Sequence, residues 1–410
     1  MEIKDKIKIL TEEALERLSI SGADFAVEHP DDLKNGDYST NAAMVYAKKL
    51  RMNPKELADK IVATLKHAEA EHDFIKDISV AGAGFINFYL SQEFLTSNLE
   101  RIITDGDSFG KNNIFAGQKI LVEHSSPNLF KAFHIGHVMN NAIGESITRL
   151  ARYSGAEVKV ISYPSDVSLG IAKAVWALLE DNGLEKLKQI NKPSEIIAYL
   201  GECYVRGTRA YDDMLELQPR IKEIAALIYS KTNSREYTAY LECKELNLAY
   251  FKIMTATLGS KFDDFIFESE AGVEGEKIVR ENIGNIFKES EGAIIYEGEA
   301  YGLHTRVFIN KEGYPTYEAK DVGLLSLKFA RYKPDLSIFI TDHEQSEYFK
   351  VVVTAAGKIN PIWKDKTVHR THGRMSFKGQ KMSSRLGGVP SAQELLDVFC
   401  LLYTSDAADE

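Results

Sequence analysis

The chain has 410 residues, and at roughly 150 residues per domain this length predicts two or three domains. Its net charge is −10, with 27% charged and 44% hydrophobic residues, a balance typical of soluble globular proteins. This composition excludes disordered, collagenous and fibrous chains. The acidic total also argues against a general nucleic-acid coat, although it leaves room for a local basic groove.

Neither a membrane span nor a targeting segment is expected. No run of 18 apolar residues occurs in the sequence, so we expect no membrane partner. The N-terminal stretch MEIKDKIKILTEEALERL carries charges where a signal peptide needs an apolar segment. Cys203, Cys243 and Cys400 lie far apart and match no zinc-binding spacing, so we expect free thiols and no metal site. These features predict a reduced, cytoplasmic protein.

Residues 1–112 are interpreted as a small α+β domain. Apolar residues at helical spacing predict a first helix near residues 10–18. A second helix should begin at Asn53-Pro54, because Asn53 can cap it and Pro54 needs no backbone donor there. Residues 75–90 are rich in Val, Ile, Phe and Tyr and read as two strands around a glycine turn. A further apolar helix and the polar segment DGDSFGKNN then end the domain.

Residues 113–399 are predicted to form a larger α/β domain. Strands and helices alternate from KILVEH through a long helix to EVKVISY, which predicts a Rossmann-like parallel sheet with crossover helices. Residues 180–260 are helical in pattern and should be an insertion between two halves of the sheet. Residues 293–317 predict a hairpin with an Asn310–Gly313 turn. A buried strand, DLSIFIT, and another helix follow.

The segment His134-Ile135-Gly136-His137 lies after a predicted strand and at the start of a helix. A helix N-terminus presents unpaired N–H groups and a positive dipole end, which suits phosphate. Two imidazoles three residues apart could donate hydrogen bonds to a polyphosphate, and a flat base could lie against Gly136. The alternative is two ordinary capping or surface histidines.

The segment Lys381-Met382-Ser383-Ser384 is flanked by glycines and should belong to a flexible loop. A mobile loop with a lysine and hydroxyl groups could close over a triphosphate and stabilise charge in the transition state. Taken alone, a basic, serine-rich loop is more often a solvated loop.

Together, HIGH at 134–137 and KMSS at 381–384 resemble the signature pair of class I aminoacyl-tRNA synthetases. The block VEHSSPNLFKAFHIGH resembles the arginyl-tRNA synthetase family in particular, as do TYEAKDV and HGRMSFKGQKMSSR. The stretches GDYSTNAAMVYAKKL, NPKELADKI and AGAGFINFYL resemble the additional N-terminal domain of that family, which contacts tRNA. The resemblance covers residues 1 to about 399.

The resemblance implies an ATP-dependent ligase that makes arginyl-AMP and passes arginine to the 3′-terminal adenosine of tRNA(Arg). ATP would be a substrate, with Mg²⁺ carried on it, and we expect a monomer. The implied catalytic residues are His134, His137 and Lys381. The implied ATP-binding residues are Lys131, His134, Gly136, His137, Lys381, Ser383 and Ser384. The implied arginine-binding residues are Glu123, Asn128, Tyr317, Asp321 and Gln345.

The recognition of arginine has a physical basis as well. A guanidinium group has five donors in a rigid plane and keeps its charge, so a selective pocket must supply carboxylates and other acceptors. Tyr317 and Asp321 are four residues apart and share a face if that segment is helical. Without the family context, Asp321 would more often be a capping or surface acid.

The chain departs from the family pattern in three places. His124 stands where the family often has an aromatic residue, a difference that concerns packing more than chemistry. Ser384 stands where many class I enzymes have a second lysine, a charge that Arg385 or Lys131 could replace. The sequence ends about 25 residues after the KMSS loop, with an irregular tail at 400–410, so we expect the natural polypeptide to be cut short and the anticodon-binding domain to be missing. Activation in this family generally needs bound tRNA, so a shortened chain could be inactive.

Other functions remain open at this point. Another class I synthetase, for cysteine or glutamine, would share both signatures, although the cysteine enzyme would want zinc ligands. A tRNA-independent nucleotidyltransferase would share the phosphate site but would not need residues 1–112. A non-catalytic RNA-binding fragment is a third possibility. For RNA binding, Lys48, Lys49, Arg51 and Lys55 could form a basic face, or simply a solvated helix surface.

Overall fold

The computed structural model describes residues 3–22, 24–67, 73–131, 133–373, 376–377, 380–381 and 392–397. The chain divides into two compact units, Met1–Gly110 and Lys111–Glu410. In the described part of the chain, no helix combines the length and the apolar character that crossing a membrane requires. Cys203 and Cys243 are buried free thiols, and Cys400 lies outside the described residues.

The first unit is an α+β fold with one antiparallel sheet. Its elements are α1 (Ile3–Arg17), β1 (Val27–Glu28), β2 (Tyr38–Thr40), α2 (Ala42–Leu50), α3 (Pro54–His67), β3 (Ile75–Ala81), β4 (Phe85–Leu90) and α4 (Gln92–Asp105). The strands lie in the order β1-β2-β4-β3. Ile7, Leu57, Ile61 and Phe88 are at most 1% exposed in the core that these helices and strands share.

The predicted helices and hairpin of this unit are confirmed. Asn53 Oδ1 accepts the N–H of Lys55 at 2.9 Å, which is the cap expected for α3. Gly82 and Gly84 have positive φ angles of 56° and 119°, so the turn between β3 and β4 uses conformations that glycine tolerates best. The short strands β1 and β2 and helix α2 were not predicted, since a two- or three-residue strand leaves little periodicity in a sequence.

The second unit contains the predicted parallel sheet. Its first elements are β5 (Lys119–Glu123), α5 (Ile135–Tyr153), β6 (Glu157–Ser162), α6 (Leu169–Glu180), α7 (Gly183–Gln189), α8 (Pro193–Asp213), α9 (Gln218–Tyr229), α10 (Arg235–Thr257), β7 (Asp264–Phe265) and α11 (Glu268–Glu281). The remaining elements are β8 (Lys288–Ser290), β9 (Ala293–Tyr296), β10 (Arg306–Ile309), α12 (Tyr317–Tyr332), β11 (Leu336–Asp342), α13 (Ser346–Ile359), α14 (Pro361–Asp365), β12 (Thr367–His372), β13 (Ser376–Phe377) and β14 (Gln380–Lys381).

The order of strands in the parallel sheet creates a topological switch point. The sheet runs β12-β11-β5-β6-β7, and every neighbouring pair is parallel. The chain therefore moves from β5 toward one edge through β6 and β7, and later fills the other side with β11 and β12. In open α/β sheets, ligands bind beyond the carboxyl ends of the strands where this reversal occurs, here between β5 and β11.

The predicted helical insertion is confirmed as α7–α10, which lie between β6 and β7 along the chain. Its core includes Leu200, Cys203, Ile221 and Cys243, all of them at most 1% exposed, and it continues into Phe130 next to the HIGH segment. The insertion is therefore packed against the loop that leads into α5.

The prediction for residues 293–317 needs a correction. Strands β9 and β10 do pair as an antiparallel hairpin, with Val307 opposite Ile295, and β8 adds a third strand. However, the Asn310–Gly313 turn follows β10 and does not join it to β9. The N–H of Gly313 donates to the carbonyl of Asn310 at 2.9 Å, and residues 314–316 fold back along β10, where Ile309 and Pro315 form an antiparallel bridge. The predicted turn therefore closes a hairpin, but one between β10 and the residues that lead into α12. The sequence showed a strong turn signal but not which strands it connects.

Candidate active site

The two histidines of HIGH cap helix α5 and contact each other. The side chain of His134 accepts the N–H of Gly136 at Nδ1, at 3.1 Å. The Nδ1 atom of His137 accepts the N–H of His134 at 3.2 Å, so the pair forms a capping box. The rings stack with centroids 3.9 Å apart. A Cβ at position 136 would lie 2.9 Å from Cε1 of His134, so glycine leaves room for this ring.

The capping role proposed as the alternative is therefore present, and it fixes the tautomer of both rings. A neutral imidazole whose Nδ1 accepts a hydrogen bond carries its proton on Nε2. Burial, and to a smaller extent Lys131, lowers the pKa of His134, and burial, His134 and Lys131 lower that of His137 further. Both rings are thus neutral near pH 7. Each retains one Nε2–H donor for a ligand, and Lys131 supplies the positive charge.

The KMSS segment lies mostly outside the described residues. Ser383 and Ser384 are among the undescribed positions, and for Lys381 only the backbone is described, paired with Ser376 across β13 and β14. The described residues on either side of this segment contact α5 and the HIGH turn. His372, which ends β12, has its Nε2 atom 3.4 Å from Nδ2 of Asn140 in α5.

Farther along the chain, the N–H of Ala392 donates to the carbonyl of Phe133 at 2.8 Å. Ala392 is fully buried and begins a helical stretch at 392–397. The described residues on the two sides of this segment, His372 and Ala392, therefore lie beside α5 and beside the HIGH turn, respectively.

Carboxylates converge beside the carboxyl end of β5. Glu123 is 8% exposed and forms an ion pair with the buried Lys328 of α12. Asp321, two turns earlier on α12, accepts a hydrogen bond from the Tyr348 hydroxyl. Glu123, Asp321 and Lys328 line a small cavity of about 10 Å³, roughly the space of one water molecule. The structure thus brings together two of the predicted arginine-binding residues.

Asp321 lies in surroundings that favour its protonated form. Burial raises the pKa of Asp321 to about 8; the Tyr348 hydrogen bond and Lys328 act against this rise, and the negative charges of Glu268 and Glu123 add to it. A cation entering beside Asp321 would reverse the balance, because an opposite charge in low dielectric favours the ionised carboxylate.

The other predicted arginine-binding residues lie at the same end of the sheet but are more exposed. Asn128 is exposed in the loop after β5, where it bridges to Ser165. Gln345 is exposed in the turn after β11. Tyr317 is the first residue of α12, one turn before Asp321 as expected, but its side chain is 56% exposed.

Three residues of this region were not predicted. Lys328 and Tyr348 contact the two predicted carboxylates directly. Tyr163, directly after β6, is 9% exposed, and its hydroxyl has no hydrogen-bond partner among the described residues. Burial raises the pKa of Tyr163, and the carboxylates of Asp321, Glu268, Glu123 and Asp166 add to this rise. Only Lys328 left a signal in the sequence, as a lysine in the apolar helix GLLSLKFARY, seven residues after Asp321.

A parallel sheet with a histidine-capped helix and an acidic pocket at its switch point is typical of a nucleotide-binding α/β domain. Comparison with family models is more specific. The arginyl tRNA synthetase N terminal domain matches residues 2–90, and the catalytic domain of class I (R) tRNA synthetases matches residues 98–400. The chain therefore belongs to the class I arginyl-tRNA synthetase family.

Individual relatives agree with this assignment. Arginine–tRNA ligase of Treponema pallidum is 24% identical over 393 residues, which cover 92% of this chain and 64% of the relative. The ligase of Staphylococcus aureus strain Mu3 is 29% identical over 414 residues, covering 97% of this chain and 72% of the relative. The chain spans less than two thirds of the length of the two Treponema relatives it matches, namely 64% and 63%.

Solved structures share the fold. Arginyl-tRNA synthetase of Thermus thermophilus is similar with a TM-score of 0.64 and 23% identity, covering 97% of this chain and 69% of that one. The enzyme of Plasmodium falciparum gives a TM-score of 0.61 at 19% identity, covering 90% of this chain and 65% of that one.

Proposed function

We propose that this chain activates arginine with ATP to form arginyl-AMP and transfers arginine to the 3′-terminal adenosine of tRNA(Arg). The observation that carries the proposal is the pair of imidazoles at the N-terminus of α5, each of which accepts a backbone hydrogen bond at Nδ1 and so carries on Nε2 a proton with no partner among the described residues. They lie at the switch point of a parallel sheet, where the carboxylates of Glu123 and Asp321 line one cavity. Phosphate donors and a pair of carboxylates then share one edge of the sheet.

In the activation step, an oxygen of the arginine carboxylate attacks the α-phosphorus of ATP. A new oxygen–phosphorus bond forms as the bond to the leaving pyrophosphate breaks, and negative charge spreads over the phosphate oxygens. His134 and His137 would donate from Nε2 to these oxygens, and Lys131 and Lys381 would supply positive charge, with Ser383 and Ser384 as further donors. Catalysis would come from positioning and from preorganised donors.

Selection of arginine would depend mainly on Asp321. Glu123 already has Lys328 as its counter-ion, whereas Asp321 has a hydroxyl partner and no ion pair among the described residues. A guanidinium group is therefore the natural counter-charge for Asp321. Tyr317 would lie over the side chain of the substrate, and Gly136 against the adenine ring.

The α-amino and α-carboxylate groups of the substrate also need hydrogen-bonding partners. Asn128 and Gln345 would hold the α-amino and α-carboxylate groups, since both lie in exposed loops beyond the carboxyl ends of β5 and β11. This arrangement would point the carboxylate of arginine toward the nucleotide.

Mg²⁺ would enter bound to ATP. Among the residues that the structure describes, no group of three His, Cys, Asp or Glu side chains could hold a metal ion. Asp and Glu oxygens near the site are engaged with Lys, Tyr and Ser partners, so they do not fit a separate metal. Action in the cytoplasm and a monomeric state stay predictions from the sequence.

Binding of tRNA has support in the first unit, where Lys48, Lys49, Arg51 and Lys55 are all exposed, although Lys49 also donates to the carbonyl of Gly22. In the second unit, a groove of about 570 Å³ runs between α9, α10 and α11. Its lining combines four tyrosines and two lysines with Glu223, Glu268 and Glu276, so it is not a basic surface of the kind that RNA phosphates require.

The proposal is tested by titrating the chain with ATP and with arginine in a calorimeter, and by arginine-dependent ATP–pyrophosphate exchange with and without tRNA(Arg). Lysine, glutamine and cysteine serve as competing substrates. Asp321→Asn should abolish most arginine binding and leave ATP binding intact. Asp365→Asn, a change of the same kind at an exposed residue of α14, should alter neither. Exchange driven by another amino acid, or equal arginine binding in Asp321→Asn, would contradict the proposal.

A further inference from the structure

The loop that carries Lys131 is held by the helical insertion. Phe130 has a φ angle of 62°, a left-handed conformation that a bulky side chain rarely adopts and that must be stabilised by its surroundings. Its N–H donates to Oδ1 of Asn247 in α10 at 3.0 Å, and its side chain is fully buried in the core of the insertion. Asn247 is in turn fixed by donating to the carbonyl of Cys243 at 2.7 Å.

A second contact from the insertion reaches the side chain of Lys131 itself. The Nζ atom of Lys131 lies over the ring of Tyr204 in α8, 4.6 Å from the centroid. The face of an aromatic ring attracts a cation, and the attraction restricts where a long, flexible lysine side chain points. In the described part of the chain no carboxylate forms an ion pair with Lys131, so its charge remains available for an anionic ligand.

The packing of α8 fixes the position of the Tyr204 ring. A Cβ at Gly207 would lie 2.0 Å from the carbonyl oxygen of Lys173, so α8 approaches α6 as closely as backbones allow. A Cβ at Gly170 would lie 2.4 Å from the Tyr204 hydroxyl, so the ring lies directly against the first turn of α6. Two glycines therefore create the space in which this ring lies beside Lys131.

The same helix offers an internal comparison. Two turns along α8, the ring of Tyr211 covers Lys173, with Nζ 4.1 Å from the centroid. Lys173 also pairs with Asp212 at 3.5 Å and belongs to α6, away from the histidine turn. Tyr204 and Tyr211 thus make the same kind of contact from the same helix, but only Tyr204 touches a residue beside the HIGH segment.

We propose that Tyr204 is a positioning residue: its ring holds the ammonium group of Lys131 beside His134 and His137, where it meets the phosphates of the nucleotide. Lys131 lies three residues before His134, whose ring stacks on that of His137, so the ammonium group and the two imidazoles belong to the same turn of chain. In keeping with this, burial lowers the pKa of both imidazoles and the charge of Lys131 contributes to the lowering. The helical insertion would then set the affinity for the triphosphate without touching it. The inference rests on the proposed function, because it requires ATP at the histidine turn.

The experiment measures ATP and adenosine affinities by calorimetry for the full chain and for Tyr204→Met, Tyr204→Phe and Tyr211→Met. Methionine is a flexible apolar residue that can occupy the space of the ring but cannot make a cation–π contact, whereas phenylalanine keeps the aromatic ring. We expect Tyr204→Met to weaken ATP binding by about twofold to fivefold, the factor that corresponds to an exposed cation–π contact, and to leave adenosine binding unchanged. Tyr204→Phe and Tyr211→Met should bind both ligands like the original chain.

Lys131→Met separates failure of the inference from failure of the proposed function. It should weaken ATP binding at least as much as Tyr204→Met, and the double variant should be no weaker than Lys131→Met alone. A chain that binds no ATP overturns the proposed function and the inference together. Normal ATP binding in Tyr204→Met, with weak binding in Lys131→Met, overturns the inference alone, as does an equal loss of ATP and adenosine binding.

If Tyr204→Met does not fold, as judged by its thermal melting curve, Tyr204→Leu and Gly170→Ala give the same comparison. In Gly170→Ala, Tyr204 is not mutated, but the added Cβ would push against its hydroxyl group and move the ring away from Lys131. Unchanged ATP affinity in the folded member of this pair also overturns the inference.

Discussion

The affinity for arginine should depend on pH through the ionisation of Asp321. Burial raises the pKa of this carboxyl to about 8, so near neutral pH most molecules hold it protonated. The guanidinium group of arginine stays charged throughout this range and pairs with the ionised form. Binding therefore requires Asp321 to release its proton, and the affinity must rise as the pH rises toward 8.

The size of the effect follows from the fraction of ionised carboxyl. With a pKa of about 8, that fraction is about 1% at pH 6 and about one half at pH 8, so the affinity should rise by about 50-fold between these values. Above about pH 8 the gain should level off, because most of the carboxyl is already ionised. At pH 6, each bound arginine should release close to one proton.

The assay is calorimetric titration with arginine at three pH values between about 6 and about 8, in two buffers with different ionisation enthalpies, which together count the protons released. Asp321→Asn should bind arginine weakly with no such slope, and Asp365→Asn should keep the slope of the original chain. An arginine affinity that stays constant from pH 6 to 8, without proton release, would refute the reasoning about Asp321.

Three further predictions concern the neighbourhood of this site and the packing behind it. Lys328→Met should lower the free energy of unfolding by about 3–5 kcal/mol in urea titrations, because it leaves a buried carboxylate without its counter-ion. Tyr163→Phe and Tyr296→Phe each remove a buried hydroxyl that has no hydrogen-bond partner in the part of the chain that the structure describes, so neither should lower the melting temperature. Only Tyr163→Phe should weaken arginine binding, because its hydroxyl lies near the carboxylates of the site. Gly275→Ala should lower the free energy of unfolding by about 1–3 kcal/mol or more, because its Cβ would lie 1.9 Å from a backbone carbonyl oxygen of α12. Gly201→Ala is the matched control: its Cβ would contact no other atom, so it should raise the free energy of unfolding by about 0.5–1 kcal/mol through the higher helix propensity of alanine.

Each of these predictions has an outcome that contradicts it. A stable Lys328→Met chain would mean that the carboxylate it leaves behind is hydrated or protonated at little cost. Equal arginine binding in Tyr163→Phe would show that this hydroxyl lies outside the substrate pocket. A Gly275→Ala chain as stable as Gly201→Ala would mean that the two helices can separate without loss of packing.

Much of the fold was predictable because it depends on local patterns. The alternation of KILVEH, a long amphipathic helix and EVKVISY allowed only a parallel sheet with crossovers. The helices of the insertion, with apolar residues such as Ile221, Ile224 and Ile228 at helical spacing, were equally visible. The connection at Asn310–Gly313 was misjudged because a turn signal marks where the chain reverses, but not which strands then pair.

The candidate site was predictable only in part. HIGH was recognisable because its chemistry lies within four consecutive residues, and the structure adds that capping of α5 uses one nitrogen of each ring. The environment of Asp321 could not be read in the same way. Its partner Tyr348 is 27 residues away on α13, and its neighbour Glu123 is at the end of strand β5.

The amino-acid sequence by itself determined the family, the parallel sheet and the identity of the histidine turn, since each of these depends on residues that are close in the chain. Only the tertiary structure decided that Lys328 neutralises Glu123, that Asp321 is held protonated, and that Tyr204 covers Lys131. Ion pairing and burial depend on which residues, far apart in the chain, lie next to one another after folding. A local sequence pattern does not indicate those contacts.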